Sequence, residues 1–130
     1  MTLIVPNAEL VRIITALVNQ TLHLKLYSNN ITPSATSAAV DFTEVVGGGY
    51  SEAVLSFSSW SFDSIGTATY VAEDFHFTGA TNAPGTIYGY YIVDGSGNLT
   101  WAERFPDAVV PFTPTSGSFI RITPQIVASE

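Results

Sequence analysis

The chain contains no cysteine, which excludes a disulfide framework, a thiolate metal site and a cysteine nucleophile. Basic residues are scarce: four lysines and arginines face eleven acidic residues, for a formal net charge of -7. A nucleic-acid-binding protein needs clustered basic side chains to neutralise phosphates, and an anionic membrane surface attracts the same kind of cluster. The composition therefore predicts that neither nucleic acid nor a membrane is a partner.

Charge of either sign is sparse. Charged residues make up 12% of the chain, about half of the ~25% that is typical of soluble domains. So little charge favours a protein whose surface is partly covered by partners. The chain has no apolar run of about 18 residues, and its first residues lack the basic start of a secretion signal. We therefore expect a soluble protein that is made in the cytoplasm.

The 130 residues are close to the usual size of one domain, and no linker or internal repeat divides them. Helical periodicity is confined to the N-terminal segment, where apolar side chains recur at Leu10, Ile13, Ile14, Leu17 and Val18. This spacing predicts a helix over about residues 8–19. Asn7 is the expected N-cap, and Glu9 lies in the first turn, where the helix dipole favours a negative charge.

After the helix, the hydrophobic period changes to the alternation of strands, beginning at 22–27 with Leu22, Leu24 and Leu26. Further strand-like segments follow at 38–46, 50–63, 68–80, 88–105 and 118–127. The apolar phase changes between Phe57 and Trp60, which predicts a β-bulge near Ser58. About seven or eight short strands, from about residue 21 to 127, predict a mainly β fold. We expect a single domain, residues 1–130, forming an antiparallel β-sandwich or jelly-roll-like structure with one N-terminal α-helix.

The strongest local signal is the segment YGYYIVDGSGNLTWAERF at residues 88–105. Its halves flank Asp-Gly-Ser-Gly-Asn, whose two glycines can adopt a positive φ, so the segment predicts a β-hairpin. Tyr88, Tyr90 and Ile92 are expected to point one way. Tyr91 and Val93 then point the other way, so both faces of this strand are apolar and both should be covered. One face belongs to the core, and either a second subunit or the N-terminal helix covers the other.

Candidate catalytic and metal-binding residues are few. His23 and His76 lie at alternating positions of predicted strands, and Asp74 shares a face with His76, but two ligands do not make a metal site. The serines lie in no Gly-x-Ser-x-Gly turn between a strand and a helix, as a nucleophile would. The sequence therefore predicts no enzyme, no metal site and no cofactor.

Aromatic residues in a chain with little charge are typical of an interaction surface. The candidate interaction residues are Tyr91, Val93, Trp101, Glu103, Arg104 and Trp60. Glu103 is expected to pair with Arg104 or with a neighbouring chain at a surface. Sugar-binding clefts also combine aromatic and acidic side chains, so glycan binding without catalysis stays open. That alternative predicts that Trp101 or Trp60 is exposed in the monomer.

Two stretches of the chain carry more specific motifs. The first is LHLKLYSNNITPSATSAAVDFTEVVGGGY, in which an LY-x-N strand end precedes a TP loop, DFTE and GY. The second is YGYYIVDGSGNLTWAERFPDAVVPFTPTSGSFIRITP, in which the WAERF hairpin is the most specific element and TPTSG precedes the last strand. Over about residues 20–124, these motifs resemble those of small virion structural proteins of tailed bacteriophages and prophages.

The resemblance implies a structural virion protein, similar in size and β content to head-decoration, or cement, proteins, which sit on an assembled capsid as trimers. It implies a position on the capsid surface, with the major capsid protein and further copies of the chain as partners. The resemblance transfers no catalytic residue. It does not separate head from tail, so a tail or fibre component stays open.

Overall fold

One helix and nine strands form the part of the chain that the computed structural model describes, namely residues 6–63, 67–78, 85–106, 113–115 and 117–127. The helix α1 spans Asn7–Val18. The strands are β1 (Leu22–Tyr27), β2 (Ala53–Leu55), β3 (Trp60–Phe62), β4 (Thr67–Tyr70), β5 (Glu73–His76), β6 (Gly89–Val93), β7 (Leu99–Arg104), β8 (Phe119–Ile122) and β9 (Gln125–Val127). The fold is therefore mainly β with one N-terminal helix, as predicted.

The helix α1 confirms the predicted span of 8–19 to within one residue. Its buried side chains are Leu10, Ile14 and Val18, which form one stripe at four-residue spacing. The prediction that Asn7 caps the helix is wrong, because Asn7 is the first helical residue and Pro6 stands at the cap position. The Pro6 carbonyl accepts hydrogen bonds from the N–H groups of Glu9 and Leu10, and no side chain makes a capping hydrogen bond.

Three antiparallel sheets enclose one core. The first has the strand order β2-β1-β6-β7, the second β3-β4-β9, and the third pairs β5 with β8. In the first sheet, Leu24 pairs with Ile92 across β1 and β6. The core takes side chains from the helix and from all three sheets, including Ile14, Val18, Leu24, Leu55, Trp60, Tyr70, Phe75, Ile92, Ile122 and Ile126. The helix packs against β3 and β4. This arrangement is sandwich-like, which confirms the predicted fold class.

The strand predicted at 38–46 does not form, and a 3-10 turn stands at Ala39–Asp41 instead. The side chain of Asn29 provides hydrogen bonds that a neighbouring strand would otherwise make. Its Nδ2 donates to the carbonyl of the last residue of the turn, and its Oδ1 accepts from the N–H of Thr43, both at 2.8 Å. Glu44 forms one isolated bridge to the end of β1. The segment is therefore a pinned loop. The Asn29 side chain satisfies two of its backbone groups, and the hydrogen bonds from the Ser28 N–H to the Thr43 carbonyl and from the Val45 N–H to the Leu26 carbonyl tie it to the end of β1.

Three segments that were predicted as single strands each divide between two sheets. Segment 50–63 forms β2 and β3, and a 3-10 turn at Phe57–Ser59 stands where the β-bulge is predicted, so that prediction is wrong. Segment 68–80 contains β4 and β5. Segment 118–127 contains β8 and β9, which are separated at Pro124, where a proline has no N–H for a ladder. The change of apolar phase in segment 50–63 therefore marks a turn between sheets.

Gly89 opens β6 at a point that has no room for a side chain. A Cβ there would lie 2.6 Å from the Tyr27 hydroxyl oxygen and would also collide with the carbonyl oxygen of Glu103. Because the β7 backbone cannot yield cheaply, we expect Gly89→Ala to lower the free energy of unfolding by about 1–3 kcal/mol, measured by urea denaturation. Gly95→Ala is the control, since a Cβ at Gly95 would meet nothing within 4 Å. Equal urea midpoints for the two variants would contradict this account.

Candidate interaction surface

One carboxylate holds the turn of the β6–β7 hairpin. Asp94 Oδ1 accepts hydrogen bonds from the N–H groups of Ser96 and Asn98, each at 2.9 Å. Of the two glycines in the turn, Gly97 has a φ of 86°, which favours glycine, whereas Gly95 lies outside the left-handed region. The hydrogen bond from Asn98, followed by that from Ser96, holds the pKa of Asp94 below its usual range.

The chain itself covers the second face of β6. The ring of Phe42 stacks on that of Tyr91, with centroids 4.8 Å apart, and Tyr27 packs edge-on against Phe42 at 5.0 Å. We call Tyr27, Phe42 and Tyr91 the outer aromatic cluster. Val93 packs into it, and only 4% of Tyr91 and 5% of Val93 are exposed. Burial raises the pKa of Tyr91 to about 12.

The second face of β6 is covered by neither the N-terminal helix nor a second subunit, the two possibilities that the sequence left open. The residues that pack against the outer face, Phe42, Ile31 and Ala39, belong to the segment between β1 and β2, which we call the covering segment, residues 28–46. The helix lies elsewhere, against β3 and β4. A second subunit is not needed either, because Tyr91 and Val93 are already buried within one chain. Tyr91 and Val93 are therefore not accessible for contact with a partner in the monomer.

The prediction that Tyr88 shares a face with Tyr90 is wrong. Tyr90 and Ile92 lie in the core as expected, but Tyr88 packs against the outer aromatic cluster. The backbone explains the change: the Tyr88 N–H donates to the Tyr27 carbonyl, while the Tyr88 carbonyl accepts from the Phe105 N–H, both at 3.0 Å. In a regular antiparallel strand, both groups of one residue point to the same neighbour. Tyr88 therefore lies outside the alternation that begins at β6.

Glu103 and Arg104 on β7 bind within the chain rather than to each other, since adjacent residues of a strand face opposite sides. Glu103 Oε2 accepts a hydrogen bond from the Tyr90 hydroxyl at 2.8 Å. Burial and this carboxylate raise the pKa of Tyr90. Arg104 Nη1 donates to the carbonyl of Ile31 at 3.1 Å, and its guanidinium carbon lies 5.3 Å from the centre of the Tyr88 ring. Arg104 thereby ties the covering segment to β7.

The two tryptophans occupy different environments. Trp60 is buried and packs edge-on against Tyr70, with centroids 5.1 Å apart, so it offers no exposed platform. Trp101 is half-buried at the edge of the first sheet and packs in part against the core. Its indole nitrogen is buried near the Tyr90 hydroxyl but outside hydrogen-bond geometry. Of the two, Trp101 is the one that a partner or ligand can contact.

A groove of about 510 Å³ runs beside β7. One wall is formed by residues 33–35 and Ser37 of the covering segment, and the other by residues 99–102 of β7. Since side chains alternate between the faces of a strand, a groove that contacts four consecutive residues follows the backbone edge. Among the described residues, none that lines the groove is charged. In that part of the chain, the groove is an uncharged channel along the edge of a sheet.

The backbone beside the groove is available for pairing. β7 ends the first sheet, and no strand of the described residues pairs with its outer side. In the β6–β7 register, Trp101 and Glu103 direct their N–H and C=O groups to β6, so Ala102 directs its groups outward. A register shift makes Thr100 a bulge. A free edge of this kind can accept another strand.

Ionisable side chains form a strip on β1 and beside it. Lys25 Nζ lies 3.6 Å from a Glu44 oxygen and 3.9 Å from a Glu52 oxygen, and His23 Nδ1 lies 3.3 Å from Glu52. Tyr50 donates a hydrogen bond to Glu44 at 2.8 Å, and burial raises the pKa of its phenol. The described residues contain no group of three or more histidine or acidic side chains that could hold a metal ion.

The pair of Asp74 and His76, which share a strand face in the sequence, separates into two different contacts. Asp74 binds Arg121 with both carboxylate oxygens, at 2.7 and 3.0 Å, and this contact lowers the pKa of Asp74. His76 packs against the ring of Phe119, with centroids 5.5 Å apart. Both contacts join β5 to β8 and leave no open cluster around the histidine.

Sequence reasoning missed the exposed apolar side chains of the covering segment. Val40 is 88% exposed and Val46 is 77% exposed, on either side of the buried residues Phe42 and Val45. The sequence VDFTEVV contains both valines, but its approximate alternation predicts a strand. In this loop, buried and exposed residues do not alternate at a regular spacing, so the sequence pattern does not indicate which side chains face outward.

Comparisons with protein-family models, with curated proteins and with solved structures each found no match. Within the described ranges, no helix is long and apolar enough to cross a membrane. The geometry of the sheet edge and the covering segment, together with the sequence motifs, therefore carries the functional argument.

The Asp94 turn generates a pH-dependent prediction. Because folding depresses the pKa of Asp94, its contribution to stability is present above the pKa of the unfolded chain and is lost as pH falls through the folded pKa. We expect Asp94→Ala to lower the Tm at pH 7 and the difference from wild type to shrink at acidic pH, below the usual range of aspartate. Asp94→Asn, which keeps one acceptor oxygen, should lose less at pH 7. A wild-type-to-alanine difference that stays constant between pH 7 and pH 3 would refute this role.

Proposed function

We propose that this chain is a structural protein of a bacteriophage virion, and specifically a capsid decoration, or cement, protein that binds the assembled head as a homotrimer and stabilises it. The proposal is supported by the motif resemblance over about residues 20–124 and agrees with the β-sandwich-like fold. Its sites are surfaces that meet other proteins, and its partners are further copies of itself and the major capsid protein. Its location is the capsid surface.

The observation that carries the proposal is the exposed pair Val40 and Val46 on the covering segment. Exposed apolar side chains on a loop are typical of a surface that meets a partner. The backbone that presents them is fixed by the two hydrogen bonds of the Asn29 side chain. A fixed loop loses little conformational freedom on binding, which favours affinity. We assign this loop to the contact with the head.

The acidic residues of the covering segment do not oppose such a contact, because both are engaged within the chain. Asp41 Oδ2 accepts a hydrogen bond from the Ala38 N–H at 2.8 Å. Glu44 accepts from Tyr50 and lies beside Lys25. Both carboxylates of the segment therefore have partners within the chain, and Lys25 partly offsets the charge of Glu44.

The mechanism of a cement protein is mechanical. Capsid lattices offer threefold positions, and a closed trimer fits their symmetry. A trimer that touches several capsid subunits adds buried area across their seams. Because it binds the assembled shell and not the separate subunits, it stabilises the shell by mass action.

Substitution of both valines tests the assignment. We expect Val40→Asp with Val46→Asp to abolish binding to expanded heads, assembled from the major capsid protein of the same genome, because burial of an unpaired carboxylate is costly. The measurement is co-sedimentation with heads, accompanied by light scattering of the free protein. Val71→Asp is the matched control, because Val71 is also exposed but lies outside the covering segment. The control should bind as wild type does.

The outcomes distinguish the proposal from its alternatives. Full head binding by the double variant would remove the covering segment as the contact. A wild-type trimer that ignores both unexpanded and expanded heads would overturn the cement assignment and favour a tail or fibre component.

A second candidate function is supported by the groove beside Trp101. A partly exposed tryptophan in a groove lined by uncharged described residues can stack on the apolar face of a neutral sugar. If the chain binds host glycans, Trp101→Phe should weaken binding in a glycan array about tenfold or more, while Trp60→Phe, which alters a buried ring, should not. The absence of wild-type affinity for every glycan in the array would reject this candidate.

A further inference from the structure

The first sheet has two free edges that differ in character. β2 bounds one side and β7 the other, and no strand of the described residues pairs with the outer side of either. The β7 edge is the floor of the groove beside the covering segment. The β2 edge carries Val54, which is 54% exposed, and a second groove at its end is lined by residues 19–21 and 54–57. Unprotected sheet edges of this kind favour pairing with another chain.

Electrostatics restricts where two copies of this chain can meet. Each copy carries a formal net charge of -7, so a contact between arbitrary surfaces brings acidic groups together. The described residues that line both grooves are uncharged. The nearest charged side chains on β7, Glu103 and Arg104, are bound to Tyr90 and Ile31. Glu52, which precedes β2, lies beside Lys25. The two edges are therefore surfaces on which like-charged copies can approach.

The strand directions of the sheet allow the two edges to pair. β2 is antiparallel to β1, β1 to β6, and β6 to β7, so β2 and β7 run in opposite directions. A rotation about an axis parallel to the strands preserves their directions. Such a rotation would place β7 of one copy antiparallel to β2 of the next, and the antiparallel ladder would continue across the contact.

We infer that copies of this chain associate head-to-tail, with the β2 edge of one copy entering the groove along the β7 edge of the next. The inference rests on the proposed homotrimer, which sets the ring size. A contact between two different patches is heterologous, and a rotation that closes it produces a ring. The outward N–H and C=O groups of Ala102 supply hydrogen bonds for the added strand, and Val54 supplies apolar contact.

A mixing experiment tests this arrangement directly. Ala35→Glu places a carboxylate in the wall of the β7 groove, and Val54→Glu places one on the β2 edge; both positions are exposed, so the fold should tolerate the changes. We expect the wild type to be a trimer and each variant alone to be a monomer by light scattering. An equal mixture should form a species of twice the monomer mass of 13.9 kDa, because each variant retains the one intact edge that the other lacks.

The control and the contrary outcomes are equally defined. Val71→Glu, an exposed change outside both edges, should remain a trimer. Variants that stay trimeric, a mixture that stays monomeric, or a monomeric wild type would each overturn the head-to-tail contact. Head binding by a trimer that ignores both edge substitutions would reject this inference and leave the cement function intact. A ring that forms through these edges but binds no heads would support this inference and reject the cement function.

Discussion

The stacking of Phe42 on Tyr91 is the contact on which the architecture of this protein depends. β6 is apolar on both faces, and the sheet is stable in water only if both faces are covered. The core covers one face, and the outer aromatic cluster anchors the covering segment over the other. The same anchoring places residues 33–37 beside β7 and turns Val40 and Val46 outward. One hydrophobic requirement of a single strand thus produces both surfaces that are proposed to meet partners.

The few charged residues of this chain are used largely for contacts within the chain itself. The acidic groups of Asp41, Asp94 and Glu103 each accept hydrogen bonds from the chain itself. Their hydrogen bonds stabilise a 3-10 turn, the β6–β7 hairpin and the position of a core tyrosine. These carboxylates do not serve mainly to keep the surface solvated. A chain that uses its charges in this way leaves its sheet edges neutral. That property suits a protein that works in contact with other proteins.

The periodic elements were predictable from sequence, and the elements fixed by side-chain hydrogen bonds were not. The helix, the first strand and the β6–β7 hairpin follow from spacing alone, as does the inward position of Tyr90 and Ile92. The covering segment does not, because the Asn29 amide takes the place of the strand partner that the local alternation predicts. Of the candidate residues, Trp101 lies at an accessible edge, whereas Tyr91, Val93 and Trp60 are buried. The alternation of side chains in β6 indicates that both faces of this strand must be covered, but it does not identify the segment that covers the second face.

The pairing of β1 with β6 also governs how the chain reaches its structure. Leu24 and Ile92 are direct partners although their positions in the sequence differ by 68 (92 − 24), and the covering segment lies inside that loop. Contacts between residues so distant in sequence form slowly, because the chain loses the conformational entropy of the loop before the hydrogen bonds of the ladder stabilise it. During synthesis, Phe42 can meet the ring of Tyr27 but has no Tyr91 ring to stack on until residue 91 has been added. β1 and β2 are available to pair before that point, whereas the covering segment reaches its final place only after β6 has been made.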